Sequence, residues 1–243
     1  MKILAIDTSN QPLSVAVLDD DHLLATKTMN ISRNHSTTLM SVVAELLEDS
    51  HLDVADIDRF VVAEGPGSYT GLRIGVTTAK VLASTLNKEL VGVSSLKTVA
   101  ANIAPETDRV IVPYFDARNL NVFAGAYQWK DGQLVSVIED QHISFKNLLA
   151  QLQDLHQSIM FVGPQKDEFA EMSAQVLGSQ ATFASADFQL PQAAVLGRLG
   201  RTMDPVDIDF FVPQYRRLTQ AELQWMEKHP EEKDRHANYI EKV

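Results

Sequence analysis

The sequence predicts an α/β protein of two related lobes with a cleft between them. Three observations carry that expectation. The order of elements reads βββαβαβα as far as Ile103 and begins again after Pro105 and Asp108, which gives two βββαβα units. Each half opens on an apolar strand that ends in an aspartate, Asp7 in the first and Asp116 in the second. A glycine-rich stretch, Glu64–Gly75 (EGPGSYTGLRIG), joins the apolar run Phe60–Ala63 to a long helical pattern, as at a strand-to-helix turn. No letter-by-letter repeat links the halves; the repetition lies in the order of elements. The lobes are placed at 1–106 and 107–203, with a C-terminal segment, 204–243, packing back.

In chain order, Lys2–Asp7 reads as a buried strand and Thr8–Pro12 as a turn. Leu13–Asp19 and Leu23–Met29 follow as strands joined by the turn Asp19–Asp21, an antiparallel meander. Asn34 or Ser36 caps a helix from about Thr37 to Asp49. Its Leu39, Val42, Val43, Leu46 and Leu47 share one side, and Met40 and Ala44 widen the apolar arc. Arg59–Ala63 is the next strand, ahead of the glycine stretch and its helix to about Leu86. Glu89–Val93 is a short strand, and Ser94 or Ser95 starts a helix to about Ile103. In the second half Arg109–Phe115, Val122–Trp129 and Leu134–Glu139 are strands, the last two joined by the tight turn Asp131-Gly132. Ser144 caps a helix carrying Leu148, Leu149, Leu152 and Leu155. Ile159–Val162 is a strand, Gly163-Pro164 a turn, and Asp167–Leu177 and Gln192–Arg201 are helices. Pro213–Trp225 mixes aromatic and basic residues and is expected to pack on the body. Met226–Val243, dense in charge and broken by Pro230, is expected to be mobile or weakly helical.

A strand running through glycines into a helix gathers free N–H groups at the positive helix end, which suits an anion or a close backbone approach. Neither nucleotide motif is met. Gly65, Gly67 and Gly71 are spaced G-x-G-x-x-x-G, one residue too long for the dinucleotide fingerprint. Gly71 is followed by Leu72 and Arg73, where a P-loop needs Lys and Ser or Thr. On the helix, Arg73, Thr77, Lys80 and Ser84 fall in one narrow polar arc. Gly71, Gly75, Ala79 and Ala83 form a row of small residues at four-residue spacing. A glycine inside a helix costs about 1 kcal/mol against alanine, so close packing explains the two found here. The neighbour is either the rest of the same domain or a partner. This helix and the one before it both carry apolar surface for two contacts, and exposed apolar faces mark interaction sites.

The composition narrows the function. Of the 243 residues, 45% are hydrophobic and 22% charged, which fits an ordinary globular protein of one large or two modest domains. There is no cysteine, which excludes a disulfide framework, a thiol nucleophile and a cysteine metal site. A net charge of −11 argues against this chain gripping a nucleic acid backbone alone, although a basic partner would be attracted. The start, MKILAID, is a strand and not a signal peptide, and no apolar run approaches the ~18 residues of a membrane span, so a cytoplasmic location is expected. The histidines form no ligand spacing, and no G-x-S-x-G is present. Asp7 and Asp116, at strand ends across a cleft, could hold a hydrated divalent ion near a phosphate. A turn-capping role is the alternative for each.

Gly65–Gly75 (GPGSYTGLRIG) resembles the hallmark of the bacterial TsaB (YeaZ) family. Ala5–Ser9 (AIDTS) resembles its N-terminal signature and Asp116–Arg118 (DAR) its second-lobe signature. Pro213, Tyr215, Arg216, Ala221 and Glu222 resemble its P-x-Y-x-R…A-E pattern. The likeness is dense over the first half of the chain and thin afterwards. It implies an actin-like ASKHA (ribonuclease H-like) fold. It also implies a non-catalytic scaffold or dimerisation subunit needed to form threonylcarbamoyladenosine at position 37 of tRNAs that read codons beginning with A. The implied partners are TsaD, the metal-bearing transferase, met through the N-terminal-lobe helices, and TsaE, an ATPase. A homodimer through the same helices is a substitute, and tRNA is met only through the complex.

Carried onto this sequence, the partner surface is His35, Leu39, Val42, Val43, Leu46, Gly71, Arg73, Gly75, Ala79 and Lys80. No cofactor is required; ATP or ADP with magnesium at the partner interface would contact Asp7, Thr8, Ser9 and Asp116. Where the catalytic relative carries H-x-x-x-H, this chain has His35 and Leu39, so a metal ligand is missing and no catalytic residue is assigned. Asn121 stands where the family commonly has Glu, and Gly163-Pro164-Gln165 replaces a glycine-aspartate-glycine-like loop, which weakens the phosphate-binding part of the second lobe. The competing class is an ASKHA-type ATPase or phosphotransferase using Asp7 and Asp116. A metallopeptidase reading lacks any H-E-x-x-H. The scaffold reading expects Gly75→Leu or Val43→Asp to abolish pairing and leave the monomer folded.

Overall fold

The computed structural model describes residues 1–30, 35–105 and 109–217. The helix cap at Asn34, the boundary residue Asp108, Ala221, Glu222 and everything after Trp225 lie outside the described residues. The elements run β1 (Lys2–Asp7), β2 (Leu13–Asp19), β3 (His22–Met29), α1 (His35–Asp49), β4 (Arg59–Gly65), α2 (Tyr69–Leu86), β5 (Glu89–Ser94) and α3 (Ser95–Ala100). The second half continues as β6 (Arg109–Asp116), β7 (Asn121–Lys130), β8 (Gln133–Ser144), α4 (Phe145–Gln153), β9 (Ser158–Val162), α5 (Asp167–Leu177), β10 (Ala181–Phe183) and α6 (Ala193–Arg201).

Two five-stranded sheets of one topology result, β3-β2-β1-β4-β5 and β8-β7-β6-β9-β10. In each, the first three strands form an antiparallel meander and the first, fourth and fifth run parallel. β1 and β4 are apolar along their length because both faces of their sheet are covered. Leu4, Ile6, Phe60 and Val62 point into one core with α1 and α2, while Ile3, Ala5 and Val61 point into another with α6. The Asp131-Gly132 turn between β7 and β8 takes φ of 50° and 74°, both left-handed, as a two-residue hairpin requires.

The helices do not respect the boundaries at 106 and 203. α3 follows the first sheet but packs on the second, where Leu96, Val99 and Ala100 meet Ile111, Phe115 and Tyr127. α6 follows the second sheet but covers the first, and Gly197 and Gly200 let it down onto Leu18 and Val61. Each lobe therefore lends the other a helix. After α6 the chain crosses the first lobe again: Val206 N–H donates to Leu90 O at 2.8 Å and Phe211 is buried in the first core. No described helix is long and apolar enough to cross a membrane.

Candidate functional site

The glycine stretch is built around its own N-terminal turn. Ser68 caps α2 by accepting the Gly71 N–H at 3.3 Å, and Ser68 N–H donates to Ser9 O at 2.7 Å. Thr8 Oγ1 donates to Gly71 O at 2.7 Å. A Cβ added at Gly67 would lie 2.1 Å from Ser9 O, at Gly71 2.1 Å from Thr8 O, and at Gly75 2.4 Å from Thr8 Oγ1. The motif makes a close backbone approach. The Ser68 and Gly71 N–H groups are spent on Ser9 and Ser68, within the chain.

This corrects much of the expected partner surface. Gly71, Gly75, Ala79 and Ala83 are buried within the chain, as are Val42, Val43 and Leu46 of α1; Leu39 is buried too but also floors the groove between the helices. The small-residue row serves the fold, so Gly75→Leu and Val43→Asp would damage the monomer itself. Lys80 is engaged too, its Nζ donating to Phe211 O at 2.6 Å. His35 Nε2 lies 3.1 Å from Asn10 O at the start of α1. Arg73 is exposed as expected.

What the two helices present outward is a groove of about 490 Å³, floored by Leu39 and Ile74 and rimmed by Met40, Tyr69, Arg73 and Thr77. Met40 is 49% exposed, Tyr69 43% and Val81 57%. A second groove, about 460 Å³, continues past Met40 along α1 towards Leu52 and Leu82. At the head of α2, the Tyr69 and Tyr215 rings meet at a tilt with centres 4.7 Å apart, and Arg73 lies 5.3 Å from the Tyr69 ring centre and donates to its hydroxyl. Met40 and Ala44 already stood out beyond the α1 stripe in the sequence. Tyr69 and Tyr215 carried no periodic signal, because their pairing joins residues far apart in the chain.

The two aspartates do not share an open site. Asp7 is fully buried. Its Oδ1 accepts from Ser9 N–H at 2.8 Å and Ser9 Oγ at 2.7 Å, and its Oδ2 has no partner. Burial pushes its pKa above the ordinary carboxylate value, against the Ser9 donors and the His35 charge. Asp116 lines an interlobe cleft of about 430 Å³ with Asn10, Gln11 and Lys166. Burial opposes its ionisation, but Lys166 at 2.5 Å and the Arg118 N–H at 2.9 Å outweigh it and hold its pKa low. A magnesium-bearing nucleotide needs open carboxylate oxygens. Here one carboxylate is sealed and the other is already neutralised by a lysine, so the two do not fit that group. Among the described residues no three His, Asp or Glu side chains gather as a metal set. Asn121 folds back, donating to Arg118 O and Asn119 O.

The family model described as "TsaD: tRNA N6-adenosine threonylcarbamoyltransferase" matches residues 25–225. The tRNA threonylcarbamoyladenosine biosynthesis protein TsaB of Bacillus subtilis is 40% identical over 93% of this chain and 99% of its own length. YeaZ from Pseudomonas aeruginosa superposes with a TM-score of 0.69 at 23% identity, covering 87% of this chain and 98% of that one. ROK hexokinase from Thermus thermophilus shares the fold at a TM-score of 0.51 and 9% identity, over 82% of this chain and 99% of its own. The fold is thus actin-like ASKHA, and the chain belongs to the TsaB family of tRNA threonylcarbamoyladenosine biosynthesis proteins.

Proposed function

We propose that this chain is a non-catalytic subunit in the formation of threonylcarbamoyladenosine on tRNA, and that it acts by pairing with the related transferase, TsaD, through the α1–α2 groove. The observation that carries the reading is the groove itself: an apolar trough between two helices, rimmed by the Tyr and Arg types that dominate binding hot spots. Its occupant in this reading is the corresponding helix pair of a protein of the same fold, packed as a bundle. TsaE joins the pair afterwards, and a second copy of this chain takes the same face when TsaD is absent. The acidic chain meets tRNA only through the complex, in the cytoplasm. The sealed Asp7 and the lysine-clamped Asp116 support a role without nucleotide turnover by this subunit.

The test is pairing and modification with Met40→Glu. Met40 is half-exposed at the groove, so the monomer should keep its stability within about 0.5 kcal/mol. Affinity for purified TsaD in titration calorimetry should fall by about 30-fold or more, or ~2 kcal/mol. Modification of tRNA by TsaD with its adenylate supply and TsaE should fall with it. Unchanged affinity would remove the groove from the interface. Modification that proceeds without this chain, or Asp7-dependent nucleotide hydrolysis by the chain alone, would instead support the ASKHA enzyme reading.

A further inference from the structure

A second interlobe cavity, about 310 Å³, is lined by Glu64 and Ser94 from the first sheet, Tyr127 and Asp140 from the second, and Arg216 from the C-terminal segment. The Asp140 carboxylate ties the lobes together. Its Oδ2 accepts from Ser94 Oγ at 2.5 Å and its Oδ1 from Tyr127 Oη at 2.5 Å. Ser94 Oγ in turn accepts the Lys97 N–H that starts α3, at 3.0 Å, so its one proton goes to Asp140. Glu64, at the end of β4, faces the same space. Burial raises the pKa of both carboxyls; Arg216 lowers both, and the charge of Asp140 raises Glu64. Lys97 and Glu139 also line the cavity, and Glu139 adds negative charge beside Asp140.

The segment around Arg216 touches both lobes. Gln214 N–H donates to Glu64 O at 2.7 Å, the Tyr215 ring meets that of Tyr69 at a tilt, and Arg217 Nη1 donates to Ala117 O at 3.1 Å in the second lobe. Further back, Val206 and Phe211 hold the segment to the first lobe alone. Two half-buried carboxylates from different lobes therefore face one cavity, and the exposed strap residue Arg216, on the same cavity, supplies a positive charge that acts on both. Like charges partly withdrawn from water repel one another unless a nearby opposite charge offsets them.

We propose that Pro213–Arg217 is an electrostatic latch between the lobes, with Arg216 the shared counter-charge of Glu64 and Asp140, and that losing this charge frees the lobes to change their mutual angle. The latch is a property of the single chain and stands or falls separately from the groove's partner.

The chain has no cysteine, so Ala55→Cys and Ala150→Cys, exposed alanines of the first and second lobes, accept one spin label each. Electron–electron resonance then reads the interlobe distance in the full chain, and amide hydrogen exchange reads Gln214 and Val206. In Arg216→Gln the distance distribution should broaden. The Gln214 amide should exchange about tenfold faster while Val206 keeps its protection. Arg216→Lys should hold both readings near the parent, and adding Glu64→Gln to Arg216→Gln should move them back, because the repulsion is then reduced. An unchanged distribution in Arg216→Gln, a lysine variant as loose as the glutamine one, or a rise in exchange spread equally over Val206 and the second sheet would each overturn the latch.

Discussion

The two lobes share one topology and solve opposite problems. In the first, small residues bring α2 down onto the sheet: Gly71 and Gly75 close on Thr8, and Ala79 and Ala83 are fully buried. The core is mostly aliphatic, and α1 and α2 leave an apolar groove open between them. In the second, the corresponding helices are closed by aromatic rings. Phe145 and Phe169 meet at 4.3 Å, with Tyr114 and Phe161 edge-on or tilted around them. The ends of the leading strands differ in the same sense. Asp7 is sealed by the glycine stretch, whereas Asp116 stays at the cleft and is held by Lys166. Identical topology thus leaves the outward shape of each helix pair to side-chain volume: the lobe packed with small residues against its sheet presents a trough outward, and in the other lobe rings meet between the helices.

If the second lobe is the closed one, emptying its ring cluster should be the most damaging change. Phe145→Ala is expected to cost about 3–5 kcal/mol and lower Tm in thermal melts, with TsaD affinity unchanged below the transition. A loss of affinity matching the loss of stability would mean that the groove is not a property of the first lobe alone. Next comes the small-residue row. Gly75→Leu should destabilise the isolated monomer by roughly 3 kcal/mol, since even its Cβ would meet Thr8 Oγ1 at 2.4 Å. A variant that melts like the parent and loses only pairing would show that the row faces outward after all.

The smallest effect is a gain. The pKa of Asp7 is higher folded than unfolded because of its burial, so folding favours its protonated form. The cost of its charge is absent below the ordinary carboxylate pKa. It grows as pH rises through that value and is complete above the raised one. Asp7→Asn should therefore raise stability at pH 7.5 by about 1 kcal/mol, or 2–4 °C in Tm for a chain of this size, and the gain should vanish near pH 3. A loss of stability at pH 7.5 would show that the carboxylate is compensated by something beyond Ser9 and His35.

Most strands and helices were legible because each has a strong period or a strong punctuator. Ser68, Ser94 and Ser144 cap the helices they precede, and Asp131-Gly132 makes its hairpin. β10, three residues long, is too short for any period to register. The ownership of α3 and α6 was not legible, because each packs on a sheet formed by residues far along the chain. At the site, the exposed position of Arg73 followed from the polar arc on α2. The direction of the Gly71–Ala83 row did not, since a face of small residues looks alike whether it meets its own sheet or a partner.

The sequence by itself determined most of the element order, the βββαβα run that opens each half, the close-packing demand of the glycines and the family resemblance, because these rest on local spacing. Only the tertiary structure decided which neighbour the glycines approach, that Asp7 is sealed while Asp116 is clamped, and that Arg216 shares one cavity with Glu64 and Asp140. Each of those is a contact between distant residues, fixed by how the two sheets and their exchanged helices close on one another.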